Sequence, residues 1–179
     1  MSRASRMAEE YTQQPRIGPA LLVLAVSLMA LIYLAMSLST ADPLWFWPRV
    51  EAQARRIVIY SQGRCTELTP GMPGYTELNT AINASLSSIE GYFPAWGLSE
   101  ESLKEARTRY LTIEVFYDAP VQVHSTFRTG RPNTILFPLT GRGSEASLVF
   151  FGSDGHYWPG APKVGGLERI RELVTQMGY

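Results

Sequence analysis

The sequence is poor in the side chains that cross-link or activate many small proteins. Its 179 residues include one cysteine, Cys65, and two histidines, His124 and His156. A single cysteine cannot form an internal disulfide, so a folded domain must be stabilised by the packing of its core. We interpret Cys65 as a small, mostly buried side chain in a strand, with a reactive thiol as the alternative.

An excess of charge of either sign is also lacking. The chain has 16 Lys and Arg residues against 16 Asp and Glu residues. This balance excludes the strongly basic class of nucleic-acid-binding proteins and the acidic disordered class, so we expect no nucleic-acid partner. Hydrophobic residues make up 45% of the chain, which indicates a packed globular domain.

Catalytic motifs are missing as well. The sequence contains no HExxH or CxxC metal motif, no GxSxG nucleophile motif, and no Walker or Rossmann glycine pattern. Neither His124 nor His156 has a second ligand at metal-binding spacing, so we interpret both as surface or rim histidines. We therefore predict no catalytic residue, no metal and no cofactor, and a function other than catalysis.

Two aspartates and one glycine-rich segment resemble catalytic features only superficially. Asp118 and Asp154 stand where the chain is expected to turn, a position that aspartate favours. The segment GRGSE at 141–145 lies between two predicted strands, whereas a phosphate loop leads from a strand into a helix. A membrane-anchored hydrolase that pairs His124 or His156 with one of these aspartates is the least favoured hypothesis.

The most distinctive feature that is present is a long apolar run. Residues 19–39, from Pro19 to Ser39, contain no charged residue. About twenty apolar residues are enough for a helix to cross the roughly 30 Å hydrocarbon layer, so we expect this run to contact the lipid bilayer. The predicted organisation is a short flexible tail at 1–16, a transmembrane helix at 17–40, a juxtamembrane connector at 41–48 and a soluble domain at 49–179.

The same run could instead be the core of a cleaved signal peptide. Small residues precede Asp42, and cleavage after Ala41 would release the domain. Signal cores are usually about 7 to 15 residues long, so the greater length of this run favours an uncleaved anchor. Three arginines precede the run and Arg49 alone closely follows it. This asymmetry favours a cytoplasmic N-terminus and an extracytoplasmic domain.

Aromatic residues follow the run directly. Trp45, Phe46 and Trp47 are of the amphipathic type that gathers at the headgroup level of a membrane. Pro43 and Pro48 stiffen this connector. We therefore predict a membrane-interface role for the three aromatic residues, with packing against the folded domain as the alternative.

The rest of the chain has the hydrophobic patterns of a mixed α+β domain. In chain order we predict a hairpin with strands at 57–60 and 65–68, an amphipathic helix at 75–89, a short helix after the N-cap Ser99, and a closing helix from Leu167 that Gly178 caps. The hairpin turn is expected at Gly63, which tolerates a positive φ.

Between the second and the closing helix we predict a four-stranded β-meander. Its strands are expected at 111–117, 121–127, 134–139 and 146–151, and Asp154–Gly155 adds a hairpin turn. In the first strand, Ile113 and Val115 alternate with Glu114, so one face is core. Pro138 predicts an edge strand or a bulge. Antiparallel strands with segregated helices predict a two-layer α+β fold.

Loop aromatics are the best functional hint in the domain. Segments rich in proline and glycine contain Tyr92, Phe93, Trp96, Tyr157 and Trp158. Arg128 and Arg131 share one loop, at the end of the sheet where Asp154 and His156 are expected. These side chains predict a surface for a partner or a ligand. The alternatives are aromatics that cover the ends of the core and a mutually neutralised surface cluster of charges.

Two functions from different classes follow. The leading hypothesis is a single-pass membrane-anchored interaction protein that binds a membrane-protein partner or serves as an accessory subunit of a membrane complex. The second is a sensor or binding domain that holds a small ligand between the aromatic loops.

Overall fold

A computed structural model describes residues 17–179 of the chain. The predictions for residues 1–16, the flexible tail and its arginines, lie outside the described residues. A 24-residue apolar helix, α1 (Ile17–Thr40), precedes a domain with three further helices, a six-stranded antiparallel sheet and a two-stranded antiparallel sheet. The predicted α+β class is therefore confirmed.

The domain elements follow one another closely along the chain. The helices are α2 (Tyr75–Leu86), α3 (Glu100–Thr108) and α4 (Leu167–Gln176). The strands are β1 (Arg56–Ser61), β2 (Arg64–Leu68), β3 (Ile89–Phe93), β4 (Thr112–Phe116), β5 (Thr134–Pro138), β6 (Phe150–Ser153), β7 (His156–Tyr157) and β8 (Ala161–Val164).

Two tight hairpins confirm the turns expected from the sequence. Gln62 and Gly63 connect β1 to β2, and Asp154 and Gly155 connect β6 to β7. All four residues have a positive φ, between 49° and 82°. Two-residue hairpins favour this conformation because its twist matches that of the flanking strands.

The larger sheet has the strand order β2-β1-β4-β5-β6-β7. Strands β4 to β7 form a four-stranded meander, and the first hairpin joins it through β1. The prediction of a strand at 121–127 is wrong, because this segment is a loop and β7 is the fourth strand instead. Both sides of β4 and of β5 are already paired, so the intervening loop cannot add a strand beside either of them.

Pro138 does not mark an edge strand. It is the last residue of β5, which lies between β4 and β6 inside the sheet. A proline is tolerated at this position because the ladder ends there, and the next backbone N–H, that of Leu139, donates to the carbonyl of Leu111.

Two further boundaries differ from the predictions. The first amphipathic helix ends at Leu86, and Ile89 begins β3, which pairs with β8 in the small sheet. The strand expected at 146–151 begins only at Phe150, because the preceding residues turn and make one isolated bridge from Leu148 to Lys163. The predicted helix ran on to residue 89 because apolar residues keep the helical spacing up to that point. The structure instead has a turn after Leu86, which allows β3 to pair in the small sheet.

One face of the large sheet carries the main core. Its inward residues alternate along the strands as predicted, and α2 and α4 cover them. The fully buried members on the strands include Ile57, Ile59, Ile113, Val115, Ile135 and Phe137. On α4, Leu167, Ile170, Leu173 and Val174 are buried, which confirms the closing helix and its apolar stripe.

The opposite face is also covered, by α3. Ala106 of this helix packs with Leu136, Leu148 and Phe150 in a second, smaller core. Ser99 caps α3 as predicted, since its side chain accepts a hydrogen bond from the backbone N–H of Ser102. Helices thus lie on both faces, so the expected two-layer arrangement is too simple.

Cover by α3 does not extend to the β2 edge. Cys65 lies on this edge strand opposite Tyr60, on the same face as α3, and is exposed. The prediction that Cys65 is mostly buried is therefore wrong, because its strand has a neighbour on one side only.

Candidate functional site

Part of the predicted surface comes together in one cleft. Tyr92, Arg128 and Trp158 line a depression of about 270 Å³, together with residues of the loops around them. The other lining residues are Thr129, Gly130, Phe151, Pro159, Gly160 and Pro162. We call this depression the aromatic cleft.

Close packing fixes the walls of the aromatic cleft. The ring of Tyr92 stacks on Phe127 with a centroid distance of 4.9 Å, and its hydroxyl donates to the carbonyl of Pro159 at 3.2 Å. Gly130 has a φ of 70°, and a Cβ placed there would lie 2.6 Å from the indole of Trp158. Only glycine allows this loop to approach the indole so closely.

The other predicted surface residues lie elsewhere. Phe93 is 41% exposed on β3. Trp96 packs with the α3 core, and the guanidinium of Arg142 lies 5.3 Å from the centre of its ring. Tyr157 turns its hydroxyl towards the α3 face, and Arg131 donates its Nε hydrogen to Oε1 of Gln122 at 2.9 Å. The seven residues therefore do not form one surface.

The Asp154 turn lies close to the arginine loop through Asn133. The Asn133 amide donates to Oδ1 of Asp154 at 2.9 Å and accepts from its backbone N–H at 2.9 Å. The hydrogen bond from Asn133, aided by Ser153, lowers the pKa of the Asp154 carboxyl, which is fully exposed. Asp154 therefore acts as a turn-former, as predicted. His156 is exposed on β7.

A buried carboxylate on β4 is the charged group that sequence reasoning missed. Glu114 is fully buried and accepts two hydrogen bonds from Arg107, at 2.6 Å from Nη2 and 3.1 Å from Nε. The hydroxyl of Tyr157 donates to Oε1 of Glu114 at 2.6 Å. We call Glu114, Arg107, Tyr157 and Tyr60 the glutamate cluster.

Burial and the glutamate together keep the tyrosines of this cluster protonated. Desolvation, followed by the nearby Glu114 carboxylate, raises the pKa of Tyr60 to about 12. Burial also raises the pKa of Tyr157, and the charge of Glu114 adds to this effect. A carboxylate with three hydrogen bonds and an adjacent guanidinium is well compensated, so this cluster is suited to a structural role rather than to proton transfer.

His124 is not a surface histidine. Its Nδ1 lies 2.7 Å from Oδ2 of Asp42, and the two side chains are 13% and 5% exposed. Oδ1 of Asp42 also accepts from the backbone N–H of Leu44 at 2.9 Å. The pair joins the connector after α1 to the loop between β4 and β5.

His124 lines a cleft of about 480 Å³. Its lining, within the described residues, contains no serine, threonine or cysteine that could act as a nucleophile. Asp118, one of the two aspartates predicted as a partner of a catalytic histidine, lines the same cleft, but it is exposed and faces Arg55 at 3.7 Å. The arrangement therefore lacks the third member that a hydrolytic triad requires.

Side chains of α2 hold the segment that leads from the connector into β1. Polar side chains spaced four residues apart, two on α2 and one directly after it, accept hydrogen bonds from alternate backbone N–H groups of this segment. The pairs are Ser87 with Val50, Asn83 with Ala52 and Asn79 with Ala54. The Asn83 amide also donates to the carbonyl of Ala52 at 2.9 Å. We call these contacts the polar ladder. The ladder therefore engages both the oxygen and the nitrogen of the Asn83 side-chain amide.

The connector aromatics fold back along α1. The ring of Phe46 meets Tyr33 edge to face at 6.3 Å, and the Tyr33 hydroxyl donates to the carbonyl of Pro43 at 3.2 Å. Phe46 and Trp47 are each more than half exposed, whereas Trp45 is partly buried. Phe46 thus lies beside the last turns of the apolar helix, and the ring of Trp45 packs edge to face on Phe46 at 5.8 Å.

No three histidine, cysteine, aspartate or glutamate side chains within residues 17–179 are grouped closely enough to hold a metal ion. Comparison with known proteins gives no relative from which a role could be transferred: no family model, no curated protein and no solved structure matches this chain.

Proposed function

We propose that this chain is a single-pass membrane protein whose α+β domain binds a membrane-protein partner as an accessory subunit, without catalysing a reaction. Support for the anchor comes from α1. Its 24 residues span about 36 Å at 1.5 Å per residue, which is enough to cross the hydrocarbon layer. Its large apolar side chains, such as Leu22 and Leu31, are more than half exposed and have no protein core to cover them.

The observation that carries the interaction hypothesis is the fixed junction between α1 and the domain. The Asp42–His124 pair and the polar ladder bind the chain to the domain on both sides of the aromatic turn. A domain that needed only to be kept near a membrane could hang on a flexible linker. A fixed junction gives the domain one orientation relative to α1, which favours contact with a partner that is itself held in the bilayer.

Topology completes the proposal. The basic residues that flank the apolar run favour a cytoplasmic N-terminus, which leaves the domain outside the cytoplasm. Under this topology the exposed side chains of Phe46 and Trp47 lie at the outer headgroup level, where aromatic residues concentrate.

The test uses the full chain, tagged after Tyr179, in membranes of the producing cell. Carbonate washing should leave the protein in the membrane pellet, and mild detergent should release it with a partner in stoichiometric amount. A variant with six Gly and Ser residues inserted between Ala41 and Asp42 keeps α1 but leaves both the Asp42–His124 pair and the polar ladder on the domain side, so it uncouples α1 from the domain. We expect partner recovery to fall at least fivefold in this variant.

The matched control carries the same insertion at residue 142, in the exposed loop between β5 and β6. This loop lies away from the junction, so partner recovery should stay as in the unmodified chain. Recovery without any stoichiometric partner, or equal recovery from the junction variant, contradicts the accessory-subunit proposal.

The aromatic cleft supports a second candidate function, the binding of a small ligand. Its fixed rings of Tyr92 and Trp158 stand beside one guanidinium, that of Arg128, which suits a flat or apolar molecule that carries a negative charge. A ligand that binds the folded state must raise the melting temperature. In a screen of anionic aromatic compounds, a ligand of the cleft should raise the melting temperature of the unmodified protein but not that of the Trp158→Ala variant. Trp47→Ala serves as the control and should respond like the unmodified protein.

A further inference from the structure

A third cleft lies where α1 ends. It has a volume of about 350 Å³ and is lined by Thr40, Ala41, Gln122, Arg128, Gly130 and Arg131. Thr40 is the last residue of α1 and Ala41 directly follows it, and the others belong to the loop between β4 and β5. Within the described residues, no acidic side chain lines this cleft. We call it the arginine cleft.

The two arginines of this cleft keep their charges available. Arg128 and Arg131 are exposed, and neither forms an ion pair with a carboxylate in the described part of the chain. Arg131 uses its Nε hydrogen for Gln122 and retains the donors on its two terminal nitrogens. Seven other arginines, by contrast, lie within 4 Å of a carboxylate.

Local contacts hold the loop that carries these arginines. The hydroxyl of Thr129 donates to the carbonyl of Val123 at 2.7 Å, and Gly130 lies against the indole of Trp158. The backbone N–H of Val121 donates to the carbonyl of Pro132 at 2.8 Å, which closes the base of the loop. A ligand therefore meets two guanidinium groups on a backbone that is already ordered, which reduces the entropy cost of binding.

The position of the arginine cleft relative to the bilayer indicates which ligand it binds. Since α1 spans about 36 Å and the hydrocarbon layer about 30 Å, the last turn of α1 reaches the headgroup level. Phosphates lie at that level, and arginine binds phosphate oxygens through paired hydrogen bonds. We propose that Arg128 and Arg131 bind the phosphate of a phospholipid headgroup beside the end of α1.

A lipid fits this position better than free phosphate. One wall of the cleft is the end of α1, and Leu38 on its last turns is 81% exposed. A phospholipid can lay an acyl chain along this apolar surface while its phosphate reaches the arginines. Soluble phosphate would use the two arginines alone. This inference rests on the proposed membrane anchoring.

The experiment uses the full-length protein, stripped of lipid in a maltoside detergent. Short-chain phosphatidylglycerol, diacylglycerol of the same chain length or inorganic phosphate is added, and native mass spectrometry counts the bound molecules. We expect one tightly bound phosphatidylglycerol, at least tenfold weaker binding of diacylglycerol, and no competition by equimolar inorganic phosphate. The Arg128→Gln/Arg131→Gln variant should lose at least tenfold in affinity for phosphatidylglycerol.

Arg64→Gln/Arg109→Gln is the matched control, because both side chains are exposed and lie at the opposite end of the sheet from the Asp154 turn. Equal binding by the two double variants, or equal binding of diacylglycerol, overturns the proposal. Competition by inorganic phosphate reassigns the site to a soluble anion and overturns the lipid version. Loss of the protein from carbonate-washed membranes instead refutes the anchoring on which the inference rests.

Discussion

The two faces of β4 are built from opposite chemistry, yet both are buried. On one face Ile113 and Val115 lie in an apolar core beneath α2 and α4. On the other face Thr112 and Glu114 are equally inaccessible, beneath α3 and Tyr157. The first face is stabilised by the removal of apolar surface from water, and the second depends on the compensation of a charge.

This difference shows that alternation along a strand reports polarity and not burial. A polar residue on the second face can face water, or it can face a helix that supplies its partners. Glu114 is in the second situation because α3 places Arg107 over it. Replacing residues on each face separates the two kinds of stability.

The largest effect is expected on the apolar face. Ile113→Ala removes buried methyl groups from a fully buried position and leaves a cavity, which should lower the free energy of unfolding by about 3 to 4 kcal/mol. Urea unfolding of the full-length protein in mild detergent measures this loss. Ile113→Val is the control and should cost about 1 kcal/mol. A loss below about 1 kcal/mol for Ile113→Ala contradicts a close-packed core on this face.

A smaller effect is expected when the charge on the other face is removed alone. Glu114→Ala leaves the Tyr157 hydroxyl and Arg107 without their acceptor, so it should cost about 2 kcal/mol. Arg107 is 35% exposed, so water can partly replace the lost carboxylate.

Joint replacement of the cluster sharpens this contrast. The variant Arg107→Met/Glu114→Leu/Tyr157→Phe removes the charges and the hydroxyl together. Its free energy of unfolding should therefore lie within about 1 kcal/mol of that of the unmodified protein. The same urea measurement applies to both variants. If the triple variant is as unstable as Glu114→Ala, the stability of this face depends on the cluster itself and not on the avoidance of unpaired groups.

High pH should destabilise the polar face, and Tyr75 and Tyr117 of the apolar core, whose pKa values burial also raises, should add to the fall. The pKa of Tyr60 is raised to about 12, and that of Tyr157 is also raised, so the folded state keeps protons that the unfolded chain releases near pH 10. The contribution of these raised pKa values to the free energy of unfolding is fully present below pH 10 and is lost as the pH rises from 10 towards 12. Unfolding measured across this range should show a fall in stability that Tyr60→Phe/Tyr157→Phe reduces. An identical slope in that variant would show that other groups cause the fall.

The smallest effect is expected at the uncovered rim of the polar face. Cys65 lies on the β2 edge and is exposed, so Cys65→Ser should change the free energy of unfolding by less than about 0.5 kcal/mol. A thiol reagent should label Cys65 in the folded protein nearly as fast as in urea. Protection of the thiol in the folded state would show that something covers this edge.

Sequence patterns predicted what depends on local chemistry. Both two-residue turns, the Ser99 cap and the apolar stripe of α4 follow from residues a few positions apart, and the structure contains all of them. The patterns missed what depends on distant segments. The pairing of β3 with β8 joins residues more than 60 positions apart, and two prolines interrupt the region around β8.

The candidate site was predictable only in part for the same reason. Tyr92, Arg128 and Trp158 were singled out as loop residues, and they share the aromatic cleft, although Tyr92 lies on β3. Tyr157 was grouped with Trp158 as a neighbour in sequence, but adjacent residues on a strand point to opposite faces. The Asp42–His124 pair spans 82 positions, and no spacing rule connects a connector aspartate with a loop histidine.

The geometry of the polar ladder limits how many hydrogen-bonded pairs it can contain, because the helix and the extended chain have different repeats. Four residues of α2 advance about 6.0 Å, whereas two residues of an extended chain advance about 6.6 Å. The helix and the extended chain therefore differ by roughly 0.6 Å from one hydrogen-bonded pair to the next. Three pairs tolerate this difference, with donor–acceptor distances between 2.9 and 3.4 Å. A much longer ladder would lose register. The three hydrogen-bonded pairs lie side by side, so a sideways force on α1 is divided among them. The junction therefore resists shear, because the three pairs must break together and not one after another.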